Sequence, residues 1–210
     1  LCGESYPDEC WLFCNTVALA AMRIADRLDG TDHGPFLAEW VRRAKAKLTD
    51  PATGLLISAF GIDGRPAPCG EQPEGSTIWM AAHMLQIVDG EFARDQYDRA
   101  RRELGRSALG FGYSREWPAG ARGSMDIDSG PVLPLLGASA SASGLAILAA
   151  AAFDDDGFLL RLLTSLDLAG FPVEREGKLS YLGGNQVGDA VLLYALTEGP
   201  LWAKVRGEKP

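Results

Sequence analysis

The chain is poor in the residues that usually mark a metal or redox centre. Histidine occurs only at His33 and His83, and cysteine only at Cys2, Cys10, Cys14 and Cys69. Four cysteines in 210 residues are too few for a disulfide scaffold, and neither a CxxC pair nor an HExxH element supplies zinc-ligand spacing. Cys10 and Cys14, one helical turn apart, could in principle join the two histidines around a metal. Buried free thiols are the simpler expectation, and no metal or other cofactor is expected. Basic residues are also scarce, with 20 Lys and Arg against 28 Asp and Glu for a net charge of −8 and no Lys/Arg stripe beside aromatics. This excludes nucleic acid and an anionic membrane surface as the main partner, and favours a neutral or hydroxyl-rich small molecule. No phosphate loop, dinucleotide fingerprint or serine nucleophile elbow occurs, and Gly110-Phe111-Gly112 lacks the strand-to-helix setting of a phosphate loop. No signal peptide is visible, and the chain opens on Leu1 rather than Met, which leaves room for residues upstream; the compartment stays open, with the cytoplasm as the default.

What is present is an ordinary globular balance, 47% hydrophobic and 23% charged, enough for one substantial core. One domain is expected over residues 1–203, with 204–210 as a solvated tail. The longest charge-free run, Ser129 to Phe153, matches a bilayer in length. Ser139, Ser141, Ser143, Gly137 and Gly144 dilute its hydropathy, Pro134 sits early, and Asp154, Asp155 and Asp156 follow with no positive flank. It therefore reads as a buried inner helix rather than a stable membrane span, capped by Asp128 or Ser129 with Pro131 in its first turn.

Apolar residues at helical spacing predict a long buried helix over 8–28 and a half-solvated one over 35–48. A Gly- and Pro-rich connection over 50–75, with an extended candidate at 55–60, leads to a second buried helix over 78–88 and a charged one over 91–104. A second long loop, 107–129, precedes the small-residue helix; an amphipathic helix at 157–167, a hairpin of 171–173 with 178–182, and a last apolar helix over 185–196 complete the order. The polar openings of the apolar helices, Asn15, Ser76, Asp128 and Asn185, lie 61, 52 and 57 residues apart, which reads as an internal repeat. The resulting expectation is an all-α fold of repeated αα-hairpins, with short β-hairpins in the loops and the inner helices parallel, so that their N-termini and the long loops share one end.

Such a ring of inner and outer helices resembles the (α/α)6 toroid of the six-hairpin glycosidases. Six hairpins close a toroid and the spacing here allows fewer than four, so the resemblance implies an incomplete (α/α)n toroid or one completed or covered by a second subunit. It also implies a carbohydrate-active hydrolase working through paired carboxylates. A second resemblance is to linalool dehydratase/isomerase-like proteins; it implies a lyase or isomerase of a terpene-type alcohol, with Asp8, Cys14 and His83 as the matching acid/base types and Met80 nearby.

For hydrolysis, Asp126 and Asp128 alternate along an extended segment, share one side and could raise one another's pKa, with Glu74 opposite; Glu71, Glu116 and Asp8 are further carboxylates at the same end. Asp128 could equally be a helix cap. Trp79, Tyr113 and Trp117 could stack on a sugar or line an apolar pocket, although Trp79 sits on an apolar helix where core packing is the commoner fate. Arg115 could hold an acidic group or pair with Glu116. His83 reads either as a core histidine or as a proton shuttle, and Asn185 and Gln186 either bind hydroxyls or cap the last inner helix. A non-catalytic binding or scaffold domain is the third reading.

Overall fold

A computed structural model of the protein describes residues 2–67, 72–121, 123, 124, 126, 127, 130–197 and 199–207, with the backbone alone at Asp126 and Ile127. Strand β1 (Cys10–Trp11) runs directly into helix α1 (Leu12–Asp29), which stops at Gly30 in the left-handed conformation that a residue without Cβ adopts freely. Helix α2 (Gly34–Lys47) carries a proline in its first turn and basic residues in its last, both favourable placements. Strand β2 (Ala59–Phe60) pairs antiparallel with β1, returning the connection to the start of α1. Helix α3 (Gly75–Leu85) follows, then α4 (Gly90–Glu103), whose cap Asp89 accepts the Phe92 N–H at 3.0 Å.

Five strands come next: β3 (Gly105–Ala108), β4 (Phe111–Arg115), β5 (Asp126–Ile127), β6 (Gly130–Leu133) and β7 (Ala138–Ser139), hydrogen-bonded in the order β3-β4-β7-β6-β5. The chain ends with α5 (Ala140–Ala152), α6 (Asp156–Ala169), the hairpin β8 (Pro172–Arg175) and β9 (Lys178–Tyr181), α7 (Gln186–Thr197) and α8 (Gly199–Arg206). Helix α3 packs between α1 and α5, and α5 between α3 and α7, while α4 covers α3 and α6 covers α5. The sequence of α3 explains its central place, since every residue from Thr77 to His83 is buried. Helix α4 instead buries only the stripe Phe92, Ala93, Gln96, Tyr97 and Ala100 and turns its charged residues outward.

The expectation of an all-α toroid is overturned: among the described residues, nine strands form three antiparallel sheets beside the helices. The largest departure is the charge-free run. It is not a single helix, because its first part builds β6 and β7 and the helix begins only at Ala140. Low charge is shared by buried strands and buried helices, so the run does not discriminate between them. The discriminating residues are Gly130 and Gly137, with φ of 116° and 63°, and Pro131 and Pro134, which lack the N–H that a helix interior requires. Ser139, not Ser129 or Asp128, caps the helix, its hydroxyl accepting the Ala142 N–H at 3.1 Å. One smaller correction follows: Cys2 and Cys10 form a disulfide rather than buried free thiols. Helix α8 buries Trp202 and Val205. Among the described residues no helix is long and apolar enough to cross a membrane.

Candidate active site at the helix N-termini

The starts of α1, α3 and α5 are tied to one another by hydrogen bonds. Buried Ser58 accepts the Leu12 N–H at 2.9 Å through its carbonyl, and the Glu74 N–H at 2.8 Å through its hydroxyl. The Gly75 N–H donates to the Glu116 carbonyl at 2.7 Å, and the Glu116 N–H to the Gly137 carbonyl at 3.1 Å. The Ser114 N–H reaches the Ser143 hydroxyl in the first turn of α5 at 2.9 Å. Glycine is required at position 75, because a Cβ there would collide with the Arg115 carbonyl and press on the Ala142 side chain. These bonds place the first turns of three parallel helices at one end, where their aligned peptide dipoles favour electron-rich groups.

Three reactive side chains belong to this end. The Cys14 thiol, in the first turn of α1, is free and exposed. Glu74 immediately precedes α3, is 9% exposed, and accepts the Thr77 hydroxyl at 3.4 Å. Glu116 is fully buried beyond the end of β4, and its Oε1 accepts both the Ser76 N–H at 3.1 Å and the Ser76 hydroxyl at 2.6 Å. Its other oxygen, Oε2, is buried with no hydrogen-bond partner among the described residues.

The N-terminal segment lies against the same first turn. Asn15 brackets Gly3, its Oδ1 accepting the Gly3 N–H at 2.8 Å and its Nδ2 donating to the Gly3 carbonyl at 2.9 Å. The Cys2–Cys10 disulfide fastens that segment to β1. Asp8 is exposed on the turn between Tyr6 and Glu9, with φ of 61°, and its N–H donates to Glu4 at 2.9 Å.

The other candidates are dispersed. His83 stands eight residues along α3 from Gly75, roughly 12 Å at 1.5 Å per residue. It is fully buried, hydrogen-bonded to Tyr194, Gln86 and Trp202, and not gathered with Cys14 and Asp8. Burial, with a smaller contribution from the positive charge of Arg206, depresses its pKa to about 3, so the ring is neutral. Trp79 is a core residue, packed against Tyr97 and Phe158 with its indole N–H donated to Ser114 at 2.7 Å. Tyr113 and Arg115 are half-buried on the face of β4 opposite Ser114. Arg115 donates to the Leu136 carbonyl at 3.3 Å, and no ion pair joins it to Glu116 among the described residues. Half-buried Trp117 donates to the Ser124 carbonyl at 2.9 Å. Asn185 is exposed and caps α7 through the Gly188 N–H at 2.9 Å, with Gln186 exposed beside it. The backbone of Asp126 lies in β5, the edge strand two strands removed from β7, while Asp128 is outside the described residues, as are Cys69 and Glu71.

Ser58 and Ser114 escape a search for reactive types because a serine that ties distant elements together, Ser58 at two helix starts and Ser114 between α3 and α5, has no spacing signature. Ser76 is recognisable as a residue at a helix start, but its long-range bond to Glu116 is not. Among the described residues, no three His, Cys, Asp or Glu side chains gather as a metal-ligand group.

Comparison with known proteins gives a family. The family model of linalool dehydratase/isomerase matches residues 4–187, the greater part of the chain. The chain belongs to this family. No curated protein matches it.

Proposed function

We propose that, as a member of the linalool dehydratase/isomerase family, the protein removes water from an unsaturated alcohol, or shifts its hydroxyl along the allylic system, at the N-terminal end of α1, α3 and α5. Family membership is the observation that carries this reading. It supports the lyase/isomerase alternative over the carbohydrate hydrolase.

Loss of water from an alcohol needs two proton movements. An acid protonates the departing hydroxyl, the carbon–oxygen bond breaks with its electron pair leaving as water, and a base takes a proton from the neighbouring carbon so that a double bond forms. In the isomerisation, water instead adds to the far end of the allylic cation and gives up a proton to the conjugate base of the acid, leaving the isomeric alcohol. We assign the proton given to the hydroxyl to the Cys14 thiol and the removal of the proton from carbon to the Glu74 carboxylate; that proton then passes from Glu74 to the Cys14 thiolate and restores both groups. Cys14 lies in the first turn of α1 and Glu74 immediately before α3, the two helix starts that Ser58 joins. The electron-rich alkene suits an apolar wall, and the disulfide-fastened segment carrying Asp8 forms the rim of this end.

The test is incubation of the protein with linalool, followed by gas chromatography of headspace and extract. A hydrocarbon lighter than linalool by one water, or an isomeric alcohol, is the expected product, with turnover falling at least about a hundredfold in Cys14→Ser and Glu74→Gln. Absence of both products, or undiminished turnover in both variants, overturns the reading.

A further inference from the structure

The buried carboxylate of Glu116 is used on one side only. Its Oε1 takes both the backbone N–H and the hydroxyl of Ser76 at the start of α3, which is all that capping the helix requires. Its Oε2 is equally withdrawn from water and receives no donor from the described residues. A fully buried carboxylate oxygen without a donor is costly, and a chain that needed only a cap could use a side chain with a single acceptor. The main chain of Glu116 is held separately, through Gly75 and Gly137, so the carboxylate is not needed to anchor the strand end.

We propose that Glu116 Oε2 is the acceptor for the hydroxyl proton of the alcohol, a substrate-binding role that rests on the reading above. The complement of an orphaned acceptor is a ligand that donates, and the hydroxyl is the one donor an unsaturated terpene-type alcohol possesses. Ser76 fixes the plane of the carboxylate, so that the oxygen facing the ligand is held before the ligand arrives. The assignment makes hydroxyl recognition separate from the proton transfers of Cys14 and Glu74. A neutral ether of the same shape, which cannot donate, is then discriminated against.

The experiment measures calorimetric Kd values for linalool and for its O-methyl ether, with the wild-type protein and with Glu116→Gln. The glutamine keeps a carbonyl oxygen for Ser76 and replaces Oε2 with an N–H2 group, which donates instead of accepting. The wild type should prefer linalool by at least about tenfold, and the variant should reduce that preference to about twofold or less. An unchanged preference overturns the role of Glu116 while leaving the alcohol reading intact; failure of the wild type to bind either compound overturns both. Wild-type crystals soaked with linalool provide a check that does not depend on the variant folding. The ligand oxygen is expected within hydrogen-bond distance of Oε2, and a ligand oxygen placed elsewhere in the site overturns the proposal.

Discussion

The imidazole of His83, on α3, and the phenol of Tyr194, on α7, are hydrogen-bonded at 2.9 Å, spanning 111 residues of chain. The tautomer follows from its neighbours. The Trp202 indole can only donate, and it reaches His83 Nδ1 at 3.3 Å, so Nδ1 accepts and the proton resides on Nε2, facing Tyr194. Trp202 also stacks on the imidazole at 5.1 Å between centroids, which fixes α8 against α3.

A pH dependence of stability follows from this site. The pKa of His83 falls from the ordinary 6.5 in the unfolded chain to about 3 in the folded protein, through burial first and the Arg206 charge second. Between these values the unfolded state binds a proton that the folded state refuses. The contribution of neutral His83 is therefore complete above pH 6.5 and declines as the pH falls toward 3. Urea titrations across that range should show the decline in the wild type and a shallower one in His83→Gln, compared as slopes because the substitution also lowers stability at neutral pH.

Reduction of the Cys2–Cys10 disulfide should lower unfolding free energy by about 2 kcal/mol, the scale expected for a short closed loop. Urea titration with and without dithiothreitol measures this, and Cys2→Ser should show no further response to the reductant. Hydrogen exchange should rise at the Gly3 amide, which Asn15 holds at 2.8 Å.

The bond from Trp79 to Ser114 joins the centre of α3 to β4 at 2.7 Å, with both residues fully buried. Ser114→Ala leaves the indole N–H without its partner and should cost about 1–3 kcal/mol. Trp79→Ala also opens a cavity and should cost about 3–5 kcal/mol. Both are stability effects, measurable by denaturant unfolding, and in Ser114→Ala the KM for linalool should stay within about twofold of wild type.

The helices whose patterns are unambiguous are legible in the sequence. Helix α4 shows its buried stripe between Phe92 and Ala100 against a charged remainder, and α3 shows an apolar run from Ile78 to Leu85, although the helix stops at Leu85 and Asp89 caps α4 instead. The hairpin of β8 and β9 is equally plain from its turn at Glu176-Gly177. The stretch from Asp126 to Ser139 misleads because its strands are only two to four residues long, too short to show an alternating period, and the pairing of Ser139 with Ser114 is distant in sequence. The shared end of α1 and α3 is legible from their order, whereas the atoms that join them are not. Cys14 and Glu74 can be picked out by type, but the junction between their helices depends on one serine, Ser58. Glu116 likewise looks like a partner for its neighbour Arg115, and it is Ser76, forty positions away, that holds it.

The most direct measurement of where the chemistry takes place is the rate of Cys14 alkylation by iodoacetamide, followed by peptide mass spectrometry with and without saturating linalool. The thiol is exposed, so it should react readily in the free protein. Linalool bound at the N-termini of α1 and α3 should slow its modification at least about tenfold, in parallel with retention of turnover. Alkylation at the same rate in the presence of bound linalool, with turnover surviving complete modification, would contradict the placement of the reaction at this end of the helices.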